Sequence, residues 1–127
     1  MSLPVIITDR LVLCPPEARH FEPSAAMWGS AAVTKHIGGQ PRSRQEVWFT
    51  LCRNRGMWDI LGYSSWAIED RITGEFLGEG GFSDFMRSMI PDLSQWPEAG
   101  WVFVESAWGK GFASEAVGAM HDWLDEH

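Results

Sequence analysis

Near the end of the chain, Glu105-Ser106-Ala107-Trp108-Gly109-Lys110-Gly111-Phe112-Ala113-Ser114-Glu115-Ala116 constrains the fold more than any other stretch. The segment before it, Trp101-Val102-Phe103-Val104, is β-branched and aromatic and reads as a buried strand. From Phe112 onward the apolar residues Ala113, Val117, Met120 and Leu124 recur at helical spacing, with Glu115 in the first turn, where the helix dipole favours an acid. A strand therefore passes into a helix through a loop with two closely spaced glycines. Glycines let the backbone turn tightly and approach a ligand, and the first helical turn offers unpaired N–H groups at the positive end of the dipole. Phosphate is the natural guest of such a site, with Lys110 either assisting or standing as a solvated loop charge. Two glycines in that position also serve as plain punctuation.

The spacing excludes the common nucleotide motifs. No lysine followed by Ser or Thr makes a Walker loop, and the three-glycine dinucleotide pattern with its downstream acid is absent. Gly109-Lys110-Gly111-Phe112-Ala113 followed by Ser114-Glu115-Ala116 instead resembles the acetyl-CoA pyrophosphate loop of the GNAT N-acetyltransferase superfamily. The similarity is greatest to the branch containing ribosomal-protein N-terminal acetyltransferases, where the loop follows a strand beginning Glu-x-Gly-aromatic. Glu98-Ala99-Gly100-Trp101 supplies that piece, and Trp108 stands where the wider superfamily has Gln or Arg, as it commonly does in this branch. Upstream, Thr8-Asp9-Arg10-Leu11-Val12-Leu13 resembles the branch's Thr-x-Arg-Leu-x-Leu opening strand.

The rest of the chain can be read residue by residue. A strand is expected around Thr8 to Cys14, stopped by Pro15-Pro16, then a helix carrying Phe21, Ala25 and Trp28, ended by Gly38-Gly39. Ser43-Arg44-Gln45-Glu46 has the form of a capping box opening a helix to about Leu61, with Val47, Leu51 and Cys52 on its apolar face. Trp66–Asp70 and Phe76–Phe82 read as a hairpin around the Arg71–Glu75 turn. Trp48, Trp58 and Trp66 are expected to fill a core. Residues 83–97, with Met86, Met89, Ile90, Leu93 and Trp96, either line an acceptor pocket or cover the sheet edge.

At 127 residues, of which 45% are hydrophobic, the chain reads as one domain spanning 1–127. The resemblance implies an α+β (mixed α/β) fold, a mostly antiparallel central sheet flanked by helices. It also implies that the fold is C-terminally incomplete, because such domains usually continue with further strands beyond the helix that ends here at His127. A sheet edge left open in that way would either be covered by a second copy of the chain in a homodimer or remain as an association hazard. The net charge of −7 disfavours nucleic acid and anionic membranes as partners and favours a cationic acceptor. Cys14 and Cys52 lack metal-ligand spacing and read as reduced, buried thiols, so no metal is expected and a cytoplasmic location is. No signal peptide or apolar span of bilayer length is present.

The resemblance further implies direct attack of a primary amine on the thioester of acetyl-CoA, the co-substrate. The acceptor would be a small-molecule amine or a protein N-terminus. Backbone groups of Trp101, Val102 and Phe103 would hold the pantetheine arm, and Gly109, Lys110, Gly111, Phe112, Ala113 and Ser114 would surround the pyrophosphate, with Trp108 also counted among the cofactor-binding residues. Glu98, which opens the strand leading to the loop, is the chosen base, with Glu79 on the neighbouring strand as its rival. His20, His36, His121 and His127 lie in or beside helices with no evident partner and read as structural or exposed. No residue matches the family's thiolate-protonating tyrosine or serine, since the single tyrosine, Tyr63, comes too early. The alternative to an enzyme is a non-catalytic acyl-CoA-binding or interaction module derived from one.

Overall fold

The opening apolar segment makes two strands, not one. In the computed structural model, which describes residues 3–35, 37–83 and 98–127 but not the side chain of Glu98, β1 (Ile6–Ile7) turns back into β2 (Leu11–Cys14). Thr8 closes the turn: its amide donates to the Leu11 carbonyl at 2.9 Å, and its hydroxyl accepts the Leu11 amide at 3.1 Å. A hydroxyl that can bond its own backbone a few residues on competes with strand extension, which is why the expected single strand breaks here.

Helix α1 (Phe21–Trp28) leads to α2 (Ala31–Thr34), a short turn of helix without a periodic signal of its own, capped by Ser30. The capping box at Ser43 forms as read: the Glu46 amide donates to the Ser43 hydroxyl (3.2 Å) and the Ser43 amide to the Glu46 carboxylate (3.0 Å). It opens α3 (Arg44–Leu61), which ends where Gly62 takes a left-handed conformation. Strands β3 (Ser65–Asp70) and β4 (Phe76–Ser83) form the expected hairpin, its turn held by Ile72 and Thr73 amides donating to Asp70 Oδ1. Strand β5 (Glu98–Phe103) and helix α4 (Phe112–Glu126) complete the described elements.

All neighbouring strands pair antiparallel, in the order β1-β2-β3-β4-β5. Among the described residues β5 is thus an edge. Val102 and Phe103 are buried there, but Trp101 is 49% exposed, which corrects the reading of Trp101–Val104 as a buried strand. β4 is seated unusually tightly against both neighbours. A Cβ on Gly78 would lie 2.2 Å from the Val102 carbonyl oxygen, and one on Gly81 2.3 Å from that of Ser64. Only glycine permits that approach.

The core sits between the sheet and helices α3 and α4. Leu11, Leu13, Trp58, Trp66, Ile68, Phe82, Phe103, Ala116 and Met120 form it. Trp58, Trp66 and the half-buried Trp123 pack edge to face, with centroids 4.9, 5.1 and 5.7 Å apart. Trp48 does not join them: it is 41% exposed and packs edge-on against Phe21. Cys52 is exposed rather than buried, because the α3 face toward the sheet runs through Val47, Leu51, Asn54 and Trp58, the i, i+4, i+7, i+11 positions.

His20, expected to lack a partner, has several among the described residues. It is buried, its Nδ1 accepts the Glu17 amide (2.9 Å), and its Nε2 faces Glu69 Oε2 (3.0 Å). Arg19 also pairs with Glu69, and Cys14 Sγ lies 3.8 Å from both His20 Nε2 and Glu69 Oε1. Burial and the neighbouring Glu69 push the Cys14 thiol up to about 11, so it stays protonated. Cys14, His20 and Glu69 do bring three ligand-type atoms within 4.8 Å. The amide bond to Nδ1, however, leaves the proton of the neutral ring on Nε2, where it satisfies Glu69. The atom that a metal would need is therefore occupied as a donor, and the cluster reads as a strut tying β2 and β3 to the turn before α1. His121 packs on Phe82, His127 stacks on Trp123, and His36 lies outside the described residues.

Candidate functional site

The glycine loop is built as the sequence implies. After β5, a single helical turn over Glu105–Ala107 leads to Trp108, and Gly109 and Gly111 adopt φ of 76° and 80°. Gly111 is the N-cap of α4 and makes no side-chain cap, so the amides of the first turn are not claimed by a capping oxygen. Nothing lies within 4 Å of a Cβ position on Gly109, which leaves the backbone open to an approaching ligand. These are the features an anionic pyrophosphate requires: oriented donors, a positive dipole end and no side chain in the way. The Lys110 and Ser114 side chains are exposed beside them.

One residue braces this loop from the other end of the chain. The Arg10 guanidinium donates to Glu115 Oε1 through Nε (2.7 Å) and to the Lys110 carbonyl through Nη1 (2.8 Å), and it lies 4.4 Å from the Phe112 ring centroid. Glu115 Oε2 accepts the Arg10 amide (2.9 Å) and the Thr8 hydroxyl. Burial pushes the Glu115 carboxyl up, but the bonds from Thr8 and Arg10 outweigh it and hold the group below the ordinary carboxylate range. The Thr8-Asp9-Arg10 and Ser114-Glu115-Ala116 pieces were visible in the sequence, but their contact across more than 100 positions was not.

A second tie comes from Trp108, whose indole N–H donates to the Phe103 carbonyl at 3.0 Å and fastens the loop to β5. A cavity of about 220 Å³ results between strand and loop, lined by Val33, Ile37, Trp101, Val102, Phe103, Trp108 and Ala113. Five of the predicted cofactor residues thus share one cavity.

A larger cavity of about 380 Å³ shares Ile37, Trp101 and Val102 with it and extends over β4 to α3. Glu79 is on its wall. The Ser24 hydroxyl (2.8 Å) and Trp28 indole N–H (2.7 Å) both donate to Glu79 Oε1. Burial raises the Glu79 carboxyl above the ordinary range, and the bonds from Trp28 and Ser24 only partly offset this. Arg42, Arg53 and Asn54 also line the cavity. None of these three carried a motif; they reach it from α3 and the segment before it. Glu98 pairs with Ser83 at the start of β5, which also borders the cavity, but its side chain lies outside the described residues. So do residues 84–97, nearly all of the segment expected either to line an acceptor pocket or to cover the sheet edge.

Comparison with known proteins places these features in a family. Residues 10–127 match the acetyltransferase (GNAT) domain. A solved GNAT-family acetyltransferase of Bordetella pertussis is 32% identical with a TM-score of 0.82, over 97% of this chain and 72% of that one. An acetyltransferase of Agrobacterium tumefaciens is 28% identical, TM-score 0.79, over 97% of this chain and 67% of that one. A ribosomal-protein acetyltransferase of Salmonella typhimurium shares the fold at 17% identity and TM-score 0.74, over 97% and 69% of the two chains. YkkB of Bacillus subtilis is 39% identical over 62 residues, 49% of this chain and about a third (34%) of that protein. The five-stranded antiparallel sheet with its flanking helices is the architecture of these neighbours, and the chain belongs to the GNAT acetyltransferase family.

Proposed function

We propose that this chain transfers the acetyl group of acetyl-CoA to a primary amine by direct attack. The observation that carries the reading is that two neighbouring cavities share a wall: Ile37, Trp101 and Val102 line both the one between β5 and the glycine loop and the one that holds Glu79. Backbone groups of Trp101, Val102 and Phe103 would take the pantetheine arm as an added strand, with Gly109, Lys110, Gly111, Phe112, Ala113 and Ser114 around the pyrophosphate. A ribosomal-protein acetyltransferase of the same fold has been solved with CoA, which supports the co-substrate. The free Cys14 and Cys52 thiols support a cytoplasmic setting.

Glu79 has the stronger geometric support as base. Its raised proton affinity suits it to take a proton from an ammonium, directly or through water, and among the described residues both hydrogen bonds fall on Oε1, leaving Oε2 lone pairs to accept. Glu98, paired with Ser83 at the start of β5, remains the rival. The freed amine forms a C–N bond to the acetyl carbon, the C–S bond breaks, and the surplus proton on the nitrogen passes, directly or through solvent, to the departing thiolate of CoA. Thiol release from acetyl-CoA across a panel of amines and peptides tests the reading: amine-dependent release that falls about 10²-fold or more in Glu79→Gln is expected. Binding of acetyl-CoA with no release on any amine would count against it.

A further inference from the structure

Helix α1 turns two hydrogen-bond donors toward one atom. Ser24 and Trp28 stand four positions apart in its eight residues, the i, i+4 spacing that stacks side chains on one helix face. The Ser24 hydroxyl (2.8 Å) and the Trp28 indole N–H (2.7 Å) both reach Glu79 Oε1, across 55 and 51 positions of sequence. Strand β4 is seated so tightly on β5 at this point that its backbone has little room to move. A Cβ on Gly78 would lie 2.2 Å from the Val102 carbonyl oxygen, and one on Gly80 3.1 Å from Trp101 Cβ and 3.2 Å from Met120 Sδ. What remains free in Glu79 is therefore its side-chain torsions, and two donors on one oxygen settle them.

Trp28 also carries a charge on its ring. Its carbonyl accepts the Arg42 amide at 2.9 Å, and the Arg42 guanidinium lies over the indole, 4.0 Å from the centroid. The indole N–H points out in the ring plane, so the two contacts use different parts of one side chain and do not compete. Burial is what most disfavours the Glu79 carboxylate; the bonds from Trp28 and Ser24 oppose this, and the charges of Arg42 and His20 act in the same sense as the bonds. Of the other charged groups nearby, Glu69 on β3 is paired with Arg19 and His20, Arg53 lines the cavity from α3, and Glu98 opens β5 opposite Ser83. Loss of the indole donor thus raises the proton affinity of Glu79, whereas loosened packing admits water and lowers it.

Resting on the reading of Glu79 as the base, we propose that Trp28, together with Ser24, is its positioning residue: the two hold Oε1 so that Oε2 takes the proton of the ammonium. The test follows kcat/KM against pH by thiol release from acetyl-CoA, with the best acceptor among ethanolamine, putrescine and a seryl peptide. It compares the parent chain with Trp28→Phe, Ser24→Ala and Glu79→Gln, each checked for folding by urea titration. Phenylalanine keeps a ring under Arg42 while removing the donor, and Ser24→Ala removes a donor with little change of shape. In both variants the acid limb should move to higher pH, with kcat/KM down about ten-fold below the limb and KM for acetyl-CoA within about two-fold of the parent. A limb that stays in place or moves to lower pH in either folded variant, while Glu79→Gln is inactive, would overturn the positioning role and leave Glu79 as base. Full activity in Glu79→Gln would overturn the base assignment and this inference with it. No turnover of any amine would overturn acetyl transfer as well.

Discussion

Replacing Arg10 by Met should loosen the glycine loop without touching any group that meets the acceptor. Three contacts are lost: the 2.7 Å bond to Glu115, the 2.8 Å bond to the Lys110 carbonyl and the placement over Phe112. The side chains of Arg10 and Glu115 are 46% and 20% exposed, so the ion pair belongs near the surface class, about 0.2 to 1 kcal/mol. The exposed cation–π contact adds about 0.5 to 1 kcal/mol, and the bond to Lys110, discounted for solvent exposure from the charged range of about 1.5 to 3 kcal/mol, contributes about 1 kcal/mol. Because all three share one side chain they do not add fully, which gives a loss of about 1 to 2 kcal/mol by urea denaturation. The Arg10 amide still donates to Glu115, so the β1–β2 turn keeps its place. What is lost is the pin on the Lys110 carbonyl, midway between Gly109 and Gly111, and acetyl-CoA binding by calorimetry should weaken about three- to ten-fold as the loop must be ordered by the ligand. Destabilisation with unchanged acetyl-CoA affinity would refute the idea that Arg10 shapes the binding loop rather than merely the fold.

Other perturbations test separate parts of the structure. Trp66 is fully buried against Trp58 and Trp123, and Trp66→Ala should cost about 3 to 5 kcal/mol in urea midpoint terms, enough to leave the chain largely unfolded; a loss below about 1 kcal/mol would mean the tryptophan cluster is not the centre of the core. Glu79→Gln keeps an oxygen for the Ser24 and Trp28 donors but cannot ionise. Because the folded-state proton affinity of Glu79 is raised, the native chain loses stability as pH rises above the unfolded carboxylate value, so the variant should gain stability relative to the parent from about pH 5 upward while activity falls. Glu115 has the opposite sign: its affinity is lowered, its contribution is present above the ordinary carboxylate pKa and vanishes as pH falls below about 4, so Glu115→Gln should flatten the acid limb of the stability curve.

What was legible in the sequence was what local chemistry writes. The Ser43 capping box, the Asp70 turn, the strand–glycine–helix loop and the helix from Phe112 each depend on residues within a few positions of one another, and each formed. What was not legible depends on distant pairs. His20 finds Glu69 across 49 positions and Arg10 finds Glu115 across 105, and no periodicity marks either. Trp48 and Cys52 were misplaced because aromatic and thiol side chains are usually interior, whereas the face of α3 that meets the sheet is fixed by Val47, Leu51, Asn54 and Trp58. The cavity that holds Glu79 escaped for the same reason: Glu79, Arg42 and Asn54 meet only after α1, α3 and β4 are packed.

Calorimetric titration of acetyl-CoA into this chain and into Gly111→Val tests the central claim most directly. Gly111 sits at φ 80° at the head of α4, so valine both strains the loop and intrudes on the first-turn amides. The account predicts saturable one-to-one binding by the parent chain and at least about a ten-fold loss in the variant. No binding by the folded parent chain, or equal affinity in a folded variant, would contradict it.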